Sequence, residues 1–85
     1  MHNYHLLEEK FDILFVLLEG VLTESEKQES SIFFDAGEYG ITLETLCGIL
    51  QDGQKSISIE AFKLIQELGS LMLLDNKLWS QLKVI

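Results

Sequence analysis

Hydrophobic residues recur every three or four positions through most of the chain, which is the period of an amphipathic helix. The first such stripe extends over residues 4–22. It consists of Tyr4, Leu7, Phe11, Leu14, Leu18 and Val21. We predict a central first helix here that ends near Gly20, because glycine inside a helix costs about 1 kcal/mol relative to alanine.

A second helix is predicted to start near residue 24. Thr23 is followed three positions later by Glu26, a spacing that allows each side chain to accept a hydrogen bond from the other residue's backbone N–H. The hydrophobic residues that could anchor this helix lie only near its end, namely Ile32, Phe33, Phe34 and Ala36. Its polar first half is therefore predicted to project into water, where the helix dipole favours acidic side chains.

Two further helices and a short closing one are predicted in the rest of the chain. The third covers about residues 42–51, opened by Thr42 and ended by Gly53. Its inward face is predicted to hold Leu43, Leu46, Cys47 and Leu50. The fourth follows Ser58 and has a broad apolar face that suits packing against the first helix. A short helix after Asp75 would bring Trp79 and Leu82 under the core.

The predicted fold class is all-α. Residues 56–59 alternate between polar and apolar, but four such residues before a helical face are better explained as a loop and a cap. Eighty-five residues, 47% of them hydrophobic, are enough for one folded domain but for only one core. We predict a compact single-domain bundle of four to five short helices over residues 1–85, packed as sequential antiparallel neighbours.

Residues 33–44 break the chain sharply between the second and third helices. Gly37 and Gly40 permit positive φ there, and aromatic residues flank the turn. We expect the turn to hold Asp35, Glu38 and Tyr39 at a fixed corner of the fold, where they could contact a partner. Tyr39 suits a hydrophobic core and an interface centre equally well.

The charge is strongly acidic and unevenly distributed. Fourteen acids against six lysines give a formal charge of −8. Residues 8–52 hold eleven acids and two lysines, a charge of −9, whereas residues 53–85 carry +1. Such a field repels phosphate groups, so we predict no direct binding of nucleic acid or of an anionic membrane. Basic proteins would be attracted instead.

The predicted compartment is the cytoplasm. A lone cysteine, Cys47, suits a reducing environment because it has no internal partner for a disulfide. The first five residues lack the basic region of a signal peptide, and no run of about 20 apolar residues occurs that could cross a membrane.

Possible metal sites are few. His2 and His5 with Glu8 and Glu9 offer suitable ligand types, but a surface contact between His5 and Glu9 at helical spacing explains them better. Residues 52–60 superficially resemble a calcium loop, yet the oxygen ligands do not fall at the required positions. We predict no bound metal.

Signs of catalysis or of a covalently attached cofactor are equally weak. Ser70 precedes a leucine, as does the serine of acyl carrier proteins that holds phosphopantetheine, but it lacks the preceding acid of that motif. Cys47 lies on an apolar helical face, and no histidine is placed to act as its base. The sequence therefore predicts neither a cofactor nor an enzyme.

The chain resembles the small helical immunity proteins of the MafI-like kind, which belong to contact-dependent growth inhibition and related bacterial toxin systems. The resemblance covers about residues 12–82. It is carried by D-x-G-E-Y-G at 35–40, the hydrophobic-Glu-x-Leu repeat at 41–46, Ile57-Ser58, residues 65–69 and 72–75, Trp79 and Leu82. It implies a protein that neutralises a toxin, with an EndoU-type ribonuclease or tRNase as the favoured target.

The acidic surface and the resemblance together predict a monomeric immunity protein that covers a basic toxin domain in a 1:1 complex. The predicted contact residues are Glu24, Glu26, Glu29, Asp35, Glu38, Tyr39 and Glu44. The alternative is an acidic helical adaptor without toxin neutralisation, or a homodimer that joins through Phe33 and Phe34. Acids on an exposed helix also occur for solubility alone.

Overall fold

Four α-helices form two packed pairs. In the computed structural model, which describes residues 4–85, α1 is Tyr4–Leu17, α2 is Glu24–Asp35, α3 is Tyr39–Asp52 and α4 is Ile59–Leu71. α2 packs against α3, α1 packs against α4, and α3 also contacts α4. The all-α prediction is confirmed, as is the packing of the fourth helix on the first. Strictly sequential packing was wrong, because the main helix partner of α1 is α4.

α1 is shorter than predicted. Its stripe places Phe11 and Leu14 in the core, but the helix ends at Leu17 rather than continuing to residue 22. Gly20 adopts a φ of +81°, which turns the chain away from the helix axis. Leu18 is still fully buried just beyond the helix end.

α2 begins with the predicted capping box. The Thr23 hydroxyl accepts from the Glu26 N–H at 3.1 Å, and the Glu26 carboxylate accepts from the Thr23 N–H at 2.8 Å. Its predicted anchors were partly wrong, since Ile32 is 67% exposed and Ala36 is also exposed. The inward face instead follows the i, i+4 spacing of Glu26, buried Ser30 and Phe34, and Ile32 lies off that face.

α3 starts earlier than predicted. Glu38 is its N-cap residue and makes no side-chain capping bond. Thr42, expected as the cap, is buried inside the first turn, where its hydroxyl donates to the Glu38 carbonyl at 2.7 Å. Of the two glycines in this connection, Gly37 takes a positive φ of +77° and Gly40 is helical. The predicted end at Gly53 is confirmed.

The C-terminal part closes the core. Ser58 caps α4 by accepting from the Ala61 N–H at 3.1 Å, as predicted. After α4, a 3₁₀ turn at Asn76–Leu78 leads to buried Trp79. Two short strands, β1 at Ser56–Ile57 and β2 at Lys83–Val84, pair in parallel. The prediction of an unpaired loop at residues 56–57 was wrong, because the partner strand is distant in sequence and leaves no local pattern.

A single apolar cluster joins α1, α3 and α4, and half-buried Phe34 of α2 packs against it. Its buried members are Phe11, Leu14, Leu18, Leu43, Leu46, Cys47, Leu50, Ile57, Ala61, Ile65, Leu68, Trp79 and Leu82. The predicted inward face of the third helix is therefore confirmed. Of the helices in the described part of the chain, none combines the length and the apolar character needed to cross a bilayer.

Candidate functional site

The seven predicted contact residues all lie on the hairpin formed by α2, the connecting turn and α3, which we call the acidic hairpin (residues 24–52). Five of them are exposed carboxylates. These are Glu24, Glu29, Asp35, Glu38 and Glu44. Because α2 and α3 pack side by side, these acids, which are spread along the sequence, belong to one structural unit.

These five carboxylates lack an ion-pair partner within residues 4–85. Outside the hairpin, Glu67 binds the ammonium group of Lys10 and Glu9 pairs with His5 at 3.2 Å, whereas the exposed acids Asp12, Glu19 and Glu60 also have no ion-pair partner within residues 4–85. Uncompensated carboxylates on one surface give it a negative potential that attracts cations and cationic proteins. The acidic hairpin carries five such carboxylates on two helices that pack together and on the turn between them, and we therefore take it as the candidate surface for a basic partner.

Glu26 differs from the other acids because it is engaged inside the molecule. Besides capping α2, its carboxylate lies 3.2 Å from the Lys55 ammonium group, which also donates to the Val21 carbonyl at 2.9 Å. The pKa of Glu26 is lowered, mainly by the hydrogen bond from the Thr23 backbone and further by Lys55, against an opposing effect of burial. Its contact with a partner stays a prediction, but its structural role is already evident.

Tyr39 belongs to a cluster of five aromatic rings, the others being Tyr4, Phe11, Phe15 and Phe34. Its ring centroid lies 5.7 Å from that of Phe34, 5.8 Å from that of Tyr4 and 6.0 Å from that of Phe11. The Tyr39 hydroxyl donates to the Glu8 carboxylate at 2.7 Å. This bond is the main reason that the pKa of Tyr39 is raised, because ionisation would break it. Tyr39 is half-buried and thus contributes to both core and surface.

The same cluster limits the homodimer alternative. The Phe34 ring lies 5.5 Å from Phe11 and 5.8 Å from Phe15, centroid to centroid. A symmetric contact through both Phe33 and Phe34 would need the Phe34 ring outside this packing. Both Phe33 and Phe34 are half-buried, but the Phe34 ring is already engaged with Phe11 and Phe15.

Two clefts flank the turn that follows α4. The first, of about 410 Å³, lies between the start of α1, the start of α3 and the end of α4, and its wall includes Glu38 and Tyr39. The second, of about 390 Å³, has Glu44 in its wall beside Asp75. Leu74 lines both clefts. Three predicted contact residues thus border concave surface.

The other four predicted contact residues lie apart from these two clefts. Glu24, Glu26, Glu29 and Asp35 all belong to α2 and line neither cleft. The structure therefore divides the predicted site into acids of α2 and a second group, on α3, that borders concave and partly apolar surface.

Sequence reasoning missed Leu73 as a surface feature. This side chain is 92% exposed, and its backbone has a φ of +59°. Leu71, the last residue of α4, is also 49% exposed. The signal in the sequence was the lack of a glycine after the helix, at the position where helices usually have one.

Comparison of the chain with protein-family models, with curated proteins and with solved structures gives no match. The family resemblance therefore stays a prediction. The functional argument depends on the geometry and charge of the described residues.

The described residues contain no group of three or more metal-ligating side chains placed to bind one ion. His5 and Glu9 form the predicted exposed pair, and His2 lies outside the described residues. Cys47 is buried as predicted, and burial raises the pKa of its thiol to about 12. Little thiolate is present at neutral pH, so this thiol is poorly suited to nucleophilic chemistry.

Proposed function

We propose that this protein is an immunity protein that binds a cognate basic toxin domain and neutralises it in a 1:1 complex. The observation that supports this most is the set of five exposed carboxylates on the acidic hairpin without ion-pair partners among the described residues. A cationic partner would neutralise these carboxylates on binding, and such charge complementarity favours association with a basic domain.

The proposed mechanism is steric and electrostatic occlusion. A nuclease holds its substrate with lysine and arginine side chains that contact phosphate groups. The carboxylates of the acidic hairpin would occupy the same cationic groove and keep nucleic acid out. Their field would also steer encounter, which raises association rates by orders of magnitude at low salt.

The size of the molecule is compatible with tight inhibition. A stable interface buries about 800 Å² on each partner, which is about 15% of the 5310 Å² of accessible surface of this protein. We expect nanomolar affinity or better, near −12 kcal/mol, because an escaped toxin molecule turns over many substrates. The resemblance to MafI-like proteins supports an EndoU-type ribonuclease as target, in the bacterial cytoplasm.

Growth rescue on co-expression with the toxin encoded immediately upstream tests this proposal. The informative variant, which we call the hairpin triple, is Glu24→Lys, Glu29→Lys and Glu38→Lys. Glu26 is excluded because its reversal would also remove the cap of α2. We expect the hairpin triple to lose rescue, since buried charge pairs typically cost about 2–5 kcal/mol each when one partner is removed.

A matched control triple changes the net charge by the same amount elsewhere. It combines Asp12→Lys in mid-helix, Glu19→Lys in a connection and Glu60→Lys in the first turn of α4, all of them exposed acids outside the acidic hairpin. We expect it to retain rescue, with helical circular dichroism preserved in both triples. Rescue by a folded hairpin triple at the wild-type level would show that the contact lies elsewhere.

A further inference from the structure

Leu73 occupies a left-handed backbone position at the end of α4. The Leu73 N–H donates to the Ser70 carbonyl at 3.1 Å, and the Leu74 N–H donates to the Gly69 carbonyl at 2.8 Å. This pair of bonds is the Schellman motif, which requires a positive φ at the residue just after the helix cap. The φ of +59° at Leu73 meets that requirement.

The same motif ends two other helices, with a glycine at the left-handed position after one and a glutamine after the other. After α2 the left-handed residue is Gly37, with a φ of +77°, and after α3 it is Gln54, with a φ of +50°. Both show the same two backbone bonds, from Gly37 and Glu38 after α2 and from Gln54 and Lys55 after α3. Glycine adopts this conformation freely, whereas a Cβ atom is strained there.

Nothing in residues 4–85 compensates for a leucine at this position. Its side chain is 92% exposed, the highest value among the exposed large hydrophobic residues of the described chain. Burial therefore contributes almost nothing to keeping it, and water contact with an apolar side chain is unfavourable. Glycine or asparagine at this position would stabilise the isolated protein. We therefore expect the leucine to act in a complex, where a partner covers its side chain.

The surroundings of Leu73 indicate what would cover it. Leu73 lines the first cleft, whose only charged lining residue is Glu38. The adjacent residue, Leu74, lines the second cleft. The lining of that cleft also includes two acids, Glu44 and Asp75, and one lysine, Lys77. An exposed apolar side chain thus stands between two concavities in which acids outnumber lysine.

We propose that Leu73 is the apolar anchor of the partner interface and inserts into an apolar pocket of the toxin domain. Lysine and arginine side chains around that pocket would pair with Glu38 and Glu44. This inference depends on the proposed function and makes it more specific, because it centres the contact on the corner between α3 and α4. Interfaces commonly gain most of their energy from a few residues near their centre, whereas surrounding groups exclude water and charged pairs set specificity.

The test compares Leu73→Asn with Gln54→Asn, because asparagine tolerates the left-handed conformation at both sites. Binding is measured by calorimetry against the purified toxin domain encoded immediately upstream, and stability by thermal unfolding of the free protein. We expect Leu73→Asn to raise the unfolding midpoint by about 4 °C while weakening binding about 30-fold, as for an anchor worth about 2 kcal/mol.

Gln54→Asn is the matched control, since it relieves the same backbone position at the end of another helix. We expect it to leave affinity unchanged without loss of stability. A third variant, Leu73→Ala, keeps the strain and removes the anchor, so affinity should fall with no gain in stability.

Each contrary outcome has a distinct meaning. If the wild type binds tightly and Leu73→Asn binds equally well, Leu73 is not the anchor of the interface, and the proposed function stands. If the wild type neither binds the toxin domain nor rescues growth, both proposals are overturned. If the free wild type sediments as a dimer and Leu73→Asn sediments as a monomer, Leu73 serves self-association and the anchor proposal is overturned. A Leu73→Asn variant that is less stable than the wild type would also overturn it.

Discussion

Among the glycines of this protein, Gly69 leaves the least space for an added side chain. A Cβ atom added there would lie 2.1 Å from Cζ3 of Trp79, and Trp79 is itself buried. Gly69→Ala would therefore force the indole ring out of its packing, because a closely packed interior cannot absorb a methyl group without displacement. We expect the free energy of unfolding to fall by about 3 kcal/mol, measured by urea denaturation.

Gly48→Ala provides the matched control, because Gly48 is also a glycine inside a helix. A Cβ atom added there would meet nothing within 4 Å, so the alanine variant should gain about 1 kcal/mol from helix propensity. Equal stability of Gly69→Ala and the wild type would mean that Trp79 does not pack as described. A glycine inside a helix can mark a close approach of another backbone, and the structure shows open space around Gly48 instead.

At the scale of elements, the start of α2 should respond to pH through Glu26. Its pKa lies below the ordinary value of 4.5 in the folded protein, so the folded state binds fewer protons than the unfolded state as the pH falls through this range. The stabilisation from the charged carboxylate is therefore complete above about pH 4.5. It is lost as the pH falls through the lowered folded pKa.

Glu26→Gln isolates this effect, since glutamine can keep the capping bond without the charge. We expect the wild type to exceed the variant in unfolding free energy at pH 7, and the difference to shrink between pH 5 and pH 3. Urea denaturation at several pH values measures it. A difference that is constant over this range would show that the charge of Glu26 contributes nothing beyond its hydrogen bond.

The elements differ in how far the sequence predicts them, and the reason is the range of the interactions that define each one. Thr23 and Ser58 were found as caps because each bonds to a backbone N–H three residues away. The start of α3 was misplaced because Glu38 caps it without a side-chain bond, whereas Thr42 uses its hydroxyl inside the helix. The pairing of β1 with β2 depends on a partner that no local pattern reveals.

At the scale of the whole molecule, the sequence predicts the acidity of the site but not its organisation. Counting charges identified the acids of residues 8–52. It could not show that Glu26 is held by Lys55, since the two residues meet only through folding. Nor could it show that Leu73 is exposed in a strained turn beside acid-lined clefts. These features depend on how helix ends meet in space.

The acidic hairpin and Leu73 should therefore affect different rate constants of binding. The field of a molecule with a net charge of −8 acts on approach and is screened over about 10 Å at 0.1 M salt. The hairpin triple should lower the association rate constant and flatten its dependence on salt. Leu73→Asn should instead raise the dissociation rate constant, because an apolar anchor acts only after docking.

The control triple decides whether the position of the acids matters or only their number. It changes the net charge as much as the hairpin triple does, so a steering effect of total charge alone would slow association equally in both. Because screening confines the field to nearby groups, we expect the hairpin triple to slow association more at 0.1 M salt. Stopped-flow measurements with the upstream toxin domain over a salt series test this. Equal slowing by both triples would show that the acidic hairpin has no special part in steering the toxin.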